Sequence, residues 1–123
     1  MALNINGTTG ISGVDGSASA PALQGTDSNT GINFGSDTVN INTGGSTRAT
    51  VDSSGRLLLG TTSASGISGN ADDLVIGSTS DSTARGLTLA STTNANIRFA
   101  DDGDNATGMI EYNHSSNFMR FYV

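Results

Sequence analysis

Residues Gly16–Ser63 read GSASAPALQGTDSNTGINFGSDTVNINTGGSTRATVDSSGRLLLGTTS, and this stretch decides the fold class. Short clusters of Val, Ile, Leu and Phe alternate in it with groups of Gly, Asn, Asp and Ser, which favour tight turns. Apolar residues at the spacing of an amphipathic helix do not persist in any window of the chain. The pattern therefore predicts an all-β fold.

The strands are predicted at intervals of about ten residues, a spacing typical of an antiparallel, meander-like sheet of short hairpins. Asp52–Gly55 is a predicted hairpin turn, because the Asp side chain can cap it and Gly55 can adopt a positive φ. Thr43–Ser46 and Asp102–Asn105 are predicted turns of the same kind. The predicted strands are Ile32–Phe34, Thr38–Asn42, Arg48–Asp52, Arg56–Gly60, Asp73–Gly77, Gly86–Ala90, Asn96–Ala100, Gly108–Asn113 and Asn117–Val123.

One segment is echoed further along the chain. LLGTTSAS at Leu58–Ser65 returns as VIGSTSDS at Val75–Ser82, seventeen residues later. Each copy places an apolar pair and a Gly before a polar turn. The echo is either a structural repeat or a coincidence in a chain rich in Ser and Thr.

The composition favours self-association. Gly, Ser, Thr and Asn supply 62 of the 123 residues, whereas the large apolar residues number only 30. One copy therefore has little to bury, and we expect an obligate homo-oligomer that buries apolar surface between copies. A disordered chain is the alternative, but the regular apolar clusters and the modest net charge of −6 argue against it.

The last predicted strand has apolar residues on both faces. It is either an ordinary core strand or part of the contact between copies. As a candidate oligomer interface we take Phe118, Met119, Phe121, Tyr122 and Val123.

Residues 1–30 differ from the rest and predict an extended N-terminal arm with at most one short strand. The arm is either a flexible tail or an anchoring segment, and residues 31–123 would then be the β-rich oligomerising domain. The chain as a whole has the length expected of one small gene product. Candidate anchoring residues are Leu3, Ile5, Ile11 and Val14.

Charge and residue usage weigh against several classes of function. The five basic residues are scattered arginines, so no basic stripe is available for nucleic acid. The longest apolar run is Leu57–Leu59, too short for a membrane span, and no signal peptide is visible. The chain has no cysteine, which removes disulfides and thiolate chemistry.

Catalytic and metal-binding motifs are also weak. The single histidine, His114, has no partner at metal-ligand spacing, and its nearest acid is Glu111. Asp101, Asp102 and Asp104 could bind a hard cation, but a solvated hairpin tip is the simpler interpretation. Phosphate-binding loops and nucleophile elbows are absent. We therefore predict no enzyme activity, no cofactor and no metal.

Several motifs follow one another in a fixed order along the chain. They are GSA (16–18) with Pro21, DSNTGI (27–32), GSDTVNI (35–41), VDSSGRLLLGT (51–61), GNADDLVIGSTS (69–80), GLTLAS (86–91) and IRFADDGDNATGMIEYNHSSNFMRF (97–121). The order of the motifs up to residue 61 resembles a module of tailed-bacteriophage fibre proteins, of the type that precedes S74-type intramolecular chaperone domains. The second half is similar to fibre and virion proteins of marine cyanophages, and the resemblance covers roughly residues 14–121.

The resemblance implies a trimeric, β-rich, enzymatically silent virion protein, fibre-like or knob-like in shape. Such fibre proteins usually continue into a further turn and the chaperone, so we expect a short fibre, spike or decoration protein on the head or tail. Its expected partners are copies of itself and other virion proteins.

Two other functions remain open. One is a glycan-binding module for host attachment, in which Tyr112 and Tyr122 would have to supply the aromatic platform, since the chain has no Trp. The other is a β-rich surface protein unrelated to phages, or a trimerisation fragment.

Overall fold

The structure is a computed structural model, and it describes residues 4–7, 10–12, 14–103 and 108–123. Within these ranges every regular element is a β-strand and no helix occurs, which confirms the predicted all-β class. No membrane-spanning helix is found in the same ranges. The chain forms two compact units, Met1–Arg85 and Gly86–Val123, described separately below.

The first unit is built around a six-stranded sheet with the strand order β10-β9-β8-β7-β6-β5. Two small antiparallel pairs, β1–β2 and β3–β4, precede it in the chain. The sheet strands are β5 (Leu23–Gln24), β6 (Gly31–Gly35), β7 (Thr38–Thr43), β8 (Ser46–Val51), β9 (Leu57–Leu59) and β10 (Leu74–Ile76). The strands before them are β1 (Asn4–Asn6), β2 (Gly10–Ser12), β3 (Gly16–Ser17) and β4 (Ala20–Pro21).

The predicted hairpin turn between β8 and β9 is present. Asp52 Oδ1 accepts hydrogen bonds from the backbone N–H of Ser54 and of Arg56, each at 3.0 Å. Gly55 has a φ of 80°, a conformation that a residue with a side chain rarely adopts. The turn at Thr43–Ser46 likewise joins β7 to β8. These two turns join β7, β8 and β9 as consecutive antiparallel strands.

The pair β9–β10 departs from the predicted antiparallel pattern, because its two strands are parallel. Residues 60–73 provide the long crossover that a parallel connection needs. Leu57 lies opposite Leu74, Leu58 opposite Val75 and Leu59 opposite Ile76, an offset of seventeen residues at each position. The sequence echo is therefore a structural repeat, stacked in register.

The small core of the first unit lies beneath this repeat. Leu58 is fully buried and Val75 is 5% exposed. Ala64 and Ile67, both from the crossover, pack against them. A core of this size is what the low content of large apolar residues leads one to expect.

The first thirty residues contain more strand than predicted. β1 to β5 all fall in this region, whereas the sequence predicts at most one short strand. These strands are only two or three residues long, which is too short for the alternation of apolar and polar residues that identifies a strand in a sequence. β5 extends the main sheet, with Leu23 opposite Ile32, and the backbone N–H of Phe34 donates to the carbonyl of Asp15. The predicted division into an anchoring arm, residues 1–30, and an oligomerising domain, residues 31–123, stays a prediction.

The second unit contains a three-stranded antiparallel sheet in the order β11-β12-β13, which agrees with three predicted strands. Phe99 lies opposite Gly108, so β11 and β12 form the predicted hairpin, although part of the turn at Asp102–Asn105 lies outside the described residues. The strands are β11 (Asn94–Phe99), β12 (Gly108–Asn113) and β13 (Phe118–Tyr122).

The predicted strand at Gly86–Ala90 is wrong for the single chain. These residues carry no strand assignment and are exposed throughout. A strand needs a partner for its backbone groups, and none of the backbone hydrogen bonds found among the described residues involves this segment.

Candidate interaction surfaces

Two rows of apolar side chains cross the six-stranded sheet on one of its faces. Directly opposed residues of neighbouring strands point to the same face, so the strand register defines each row. We call this surface the apolar face. The first row consists of Leu23, Ile32, Ile41, Ala49, Leu59 and Ile76, and the second of Phe34, Val39, Val51, Leu57 and Leu74.

Most of this face is open to solvent. Ile41 and Leu74 are each 51% exposed, and Leu23, Val39, Val51, Leu57 and Leu59 are between 36% and 46% exposed. The face extends over six strands, a width of about 24 Å at the usual strand spacing. Monomeric proteins rarely leave so continuous an apolar surface uncovered, which makes this face a candidate interaction surface.

The opposite face of the same sheet is buried and largely polar. Asn42 is 1% exposed, and its Nδ2 donates to Asn33 Oδ1 at 2.8 Å while its Oδ1 accepts from Thr47 Oγ1 at 2.9 Å. Thr50 Oγ1 donates to Asn40 Oδ1 at 2.8 Å. These bonds compensate the cost of burying amides and hydroxyls. Apart from Leu58 and Val75, the buried side chains of this sheet are therefore polar, while the two apolar rows lie outside.

The sheet of the second unit also has one apolar face. Register places Ala95, Ile97, Phe99, Ile110, Tyr112, Met119 and Phe121 on the same side. Met119 is 59% exposed and Phe121 73% exposed. A shallow groove of about 460 Å³ lies at one end of this sheet and includes Ile110, Phe121 and Val123.

The five residues predicted as an oligomer interface lie on β13 and directly after it. All five are exposed, but they do not share a face. Met119 and Phe121 belong to the apolar side, whereas Phe118 and Tyr122 lie on the side of Arg120. The guanidinium of Arg120 stands 5.0 Å from the centre of the Phe118 ring, in a cation–π contact. Their role between copies stays a prediction.

Glu111 and His114 do not form a catalytic pair in the structure. Glu111 is 3% exposed, and its carboxylate accepts from Arg120 Nε at 3.0 Å and from Asn94 Nδ2 at 3.1 Å. The His114 ring instead contacts Tyr112 edge to face, at 4.8 Å between centroids. The buried carboxylate is satisfied by neighbours of its own sheet and serves the packing of that face.

The two tyrosines lie on opposite faces of the second sheet, because Tyr112 pairs with Met119 while Tyr122 pairs with Met109. The Tyr112 hydroxyl donates to Asn117 Oδ1 at 3.3 Å. A single aromatic platform built from both rings is therefore not available.

The acidic group at Asp101, Asp102 and Asp104 is described only in part. The backbone N–H of Gly103 donates to Asp101 Oδ1 at 2.9 Å, as in a tight turn, and Asp104 lies outside the described residues. Within the described ranges no three His, Asp or Glu side chains are grouped closely enough to hold a metal ion.

Three ion pairs lie next to the strands of the repeat. Arg56 contacts Asp52 at 2.6 Å and Asp72 at 2.9 Å, joining the start of β9 to the residues before β10. The hydrogen bond from Arg56 lowers the pKa of Asp52, and that from Asp52 raises the pKa of Arg56. Arg85 and Asp81 pair at 2.8 Å, and the hydrogen bond lowers the pKa of Asp81. These ion pairs therefore lie at the ends of the paired strands.

The structure describes only some of the four candidate anchoring residues. Leu3 lies outside the described residues, and Ile5 and Ile11 are opposed in the register of β1 and β2. Val14 is half-buried. Their anchoring role stays a prediction.

The apolar face is the feature that the sequence analysis missed, although a signal for it existed. In TVNINT the apolar residues alternate with Asn, and this alternation predicts one apolar and one polar face. A sequence pattern of this kind is normally interpreted as having its apolar side in the interior. That this face is exposed could therefore be recognised only from the structure.

Comparison of the chain with protein-family models, with curated proteins and with solved structures found no match.

Proposed function

We propose that this chain is a structural protein of a bacteriophage particle that works as a homo-oligomer, expected to be a trimer. It would form a short fibre, spike or decoration protein on the head or tail. The observation that carries the proposal is the apolar face, a six-stranded surface that one copy leaves open to water. The motif order described above supplies the link to phage fibres.

Energetics support burial of this face between copies. The exposed fractions of its seven exposed residues add up to about three whole side chains per copy. Burial of that much apolar surface would stabilise the assembly by roughly 5–9 kcal/mol per copy. Self-association removes this surface without requiring a foreign partner, and all copies carry the same face. An inert, self-assembling β-protein suits a particle component.

Attachment to the particle is assigned to residues 1–30, with residues 31–123 forming the exposed part. Leu3, Ile5, Ile11 and Val14 are the apolar residues with which this segment would contact another virion protein. The assignment follows from the distinct composition of the segment.

The glycan-binding alternative has less support. Sugar sites commonly use an aromatic ring as a platform, and the two tyrosines face away from each other across one sheet. Binding on a glycan array that disappears in Tyr112→Ala would favour it.

Three experiments test the proposal. Sedimentation of the purified chain should show a stable oligomer at micromolar concentration, and peptide mass spectrometry should detect the chain in purified virions. Removal of residues 1–14, which include all four candidate anchoring residues and leave β5 in the sheet, should release the protein from virions while the remainder stays oligomeric. A folded monomer at all concentrations contradicts the self-association, and absence from virions contradicts the location.

A further inference from the structure

The segment Gly86–Ala90 has the sequence of a strand but no partner. Its leucines alternate, with Leu87 63% exposed and Leu89 41% exposed. Its backbone makes no hydrogen bond to any described residue. An extended apolar segment with free amide and carbonyl groups is suited to pair with another sheet.

The open edge of β10 offers unpaired backbone groups to which this segment could hydrogen-bond. β10 is the last strand of the six-stranded sheet, so one of its sides is unpaired. On its paired side, the N–H of Leu57 donates to Asp73 and the N–H of Gly77 donates to Leu59. In a parallel ladder the backbone groups of Leu74 and Ile76 then point away from β9, toward the open edge.

Side-chain pattern favours the same pairing. β9 reads LLL, β10 reads LVI, and residues 87–89 read LTL. A strand placed beside β10 with Thr88 opposite Val75 adds one leucine to each row of the apolar face. The match holds whether the added strand runs parallel or antiparallel.

The other long sheet edges are less suitable. β11 and β13 carry the arginines Arg98 and Arg120, and charged residues protect an edge from pairing. β5 has only two residues. β10 carries no charge, no proline and no bulge. Of the four edge strands of the six-stranded and three-stranded sheets, β10 is therefore the least protected.

We infer that residues Gly86–Ala90 of one copy form a β-strand on the open edge of β10 in a second copy. The inference rests on the proposed self-association and specifies how two copies are joined. It assigns residues 86–90 a role in assembly, and it extends the apolar face across the contact between copies.

Hydrogen–deuterium exchange of the wild-type oligomer is the first test. If the added strand is antiparallel, the amides of Leu87 and Leu89 bond across the ladder, and if it is parallel the amide of Thr88 does. These amides, together with those of Leu74 and Ile76, should exchange roughly 100-fold more slowly in the oligomer than in the Ile41→Asp variant, designed to be unassembled, because ladder bonds protect them. Exchange of residues 87–89 at the same rate in both contradicts the inference.

Cysteine cross-linking is the second test, and it is clean because the chain contains no cysteine. Copies with Leu74→Cys are mixed with mass-labelled copies that carry Leu87→Cys or Leu89→Cys. We expect a disulfide-linked heterodimer with one of the two, and the productive pair gives the strand direction. Copies with Thr83→Cys, an exposed residue before the segment, are the matched control.

The outcomes separate the two proposals. An oligomer whose Leu74→Cys copies cross-link to neither leucine variant above the control level overturns the strand pairing and leaves self-association standing. A wild-type chain that sediments as a monomer overturns both.

Discussion

Substitution of Ile41 by Asp is the most direct test of the apolar face. Ile41 lies in the first row, between Ile32 on β6 and Ala49 on β8. In one copy its side chain is 51% exposed, so an Asp carboxylate there remains hydrated. The single copy should lose only about 1 kcal/mol, mainly through the poorer strand preference of Asp.

The oligomer should lose far more. Assembly no longer buries the open half of the isoleucine, worth about 1 kcal/mol. It also places an unpaired carboxylate in a contact between copies, at a cost of roughly 2–5 kcal/mol. We therefore expect the dissociation constant to rise roughly 100-fold or more.

Sedimentation velocity over a concentration series measures this change, and circular dichroism confirms that the variant is folded. Ile41→Val keeps the face apolar and should assemble like the wild type. Ser65→Asp adds the same charge to the exposed crossover 60–73 and should also assemble normally. Ala64 and Ile67 of that crossover pack against Leu58 and Val75, on the side of the sheet opposite the apolar face. An Ile41→Asp variant that assembles with wild-type affinity refutes burial of this face.

Three further substitutions test the interior of the first unit. Asn42→Ala leaves Asn33 Oδ1 and Thr47 Oγ1 without their buried partner, and equilibrium denaturation should show a loss of roughly 2–4 kcal/mol. Gly77→Ala should cost at least about 1–2 kcal/mol because φ is 84° and the new Cβ would lie 2.7 Å from Arg85 Cγ, while Gly69→Ala, which meets no atom within 4 Å, should melt within a few degrees of the wild type. Asp52→Asn should lower the melting temperature near pH 7. The Asp52 carboxyl has a pKa below its ordinary 3.8 because it accepts a hydrogen bond from Arg56, so its contribution is complete above about pH 4 and is lost as the pH falls through the folded-state value. Thermal melts of both proteins between pH 2.5 and 7 should therefore converge at the acid end, and a constant difference would contradict the role of the ion pair.

The strands and turns of this protein were largely predictable because their causes are local. Asp52 and Gly55 define a turn by their own side chain and backbone, and the clusters around Ile32, Ile41 and Ile110 become strands where the alternation places them. Gly86–Ala90 has the same local signature, but a strand also requires a partner. The parallel pairing of β9 with β10 depends on a crossover that no local pattern encodes.

The sequence indicated that an apolar contact surface should exist, but not which strands carry it. A low content of large apolar residues predicts association between copies, and the sequence analysis assigned it to β13, where the apolar residues are densest. The structure adds a larger surface on the six-stranded sheet, because only the register across six strands aligns Leu23 with Ile76 in one row. Registers of this kind arise from turn geometry and pairing between distant segments.

The sequence by itself determined that this protein is built from short strands, that its turns fall at Asp, Asn and Gly, and that one copy has too little apolar surface for a large core. Only the tertiary structure decided which side of the sheet is covered. Alternation along a strand separates apolar from polar side chains, yet it does not say which set faces inward. Here Asn42 donates to Asn33 Oδ1 and accepts from Thr47 inside the first unit, so polar side chains can be buried there, and the isoleucines and leucines of the two apolar rows are left at the surface.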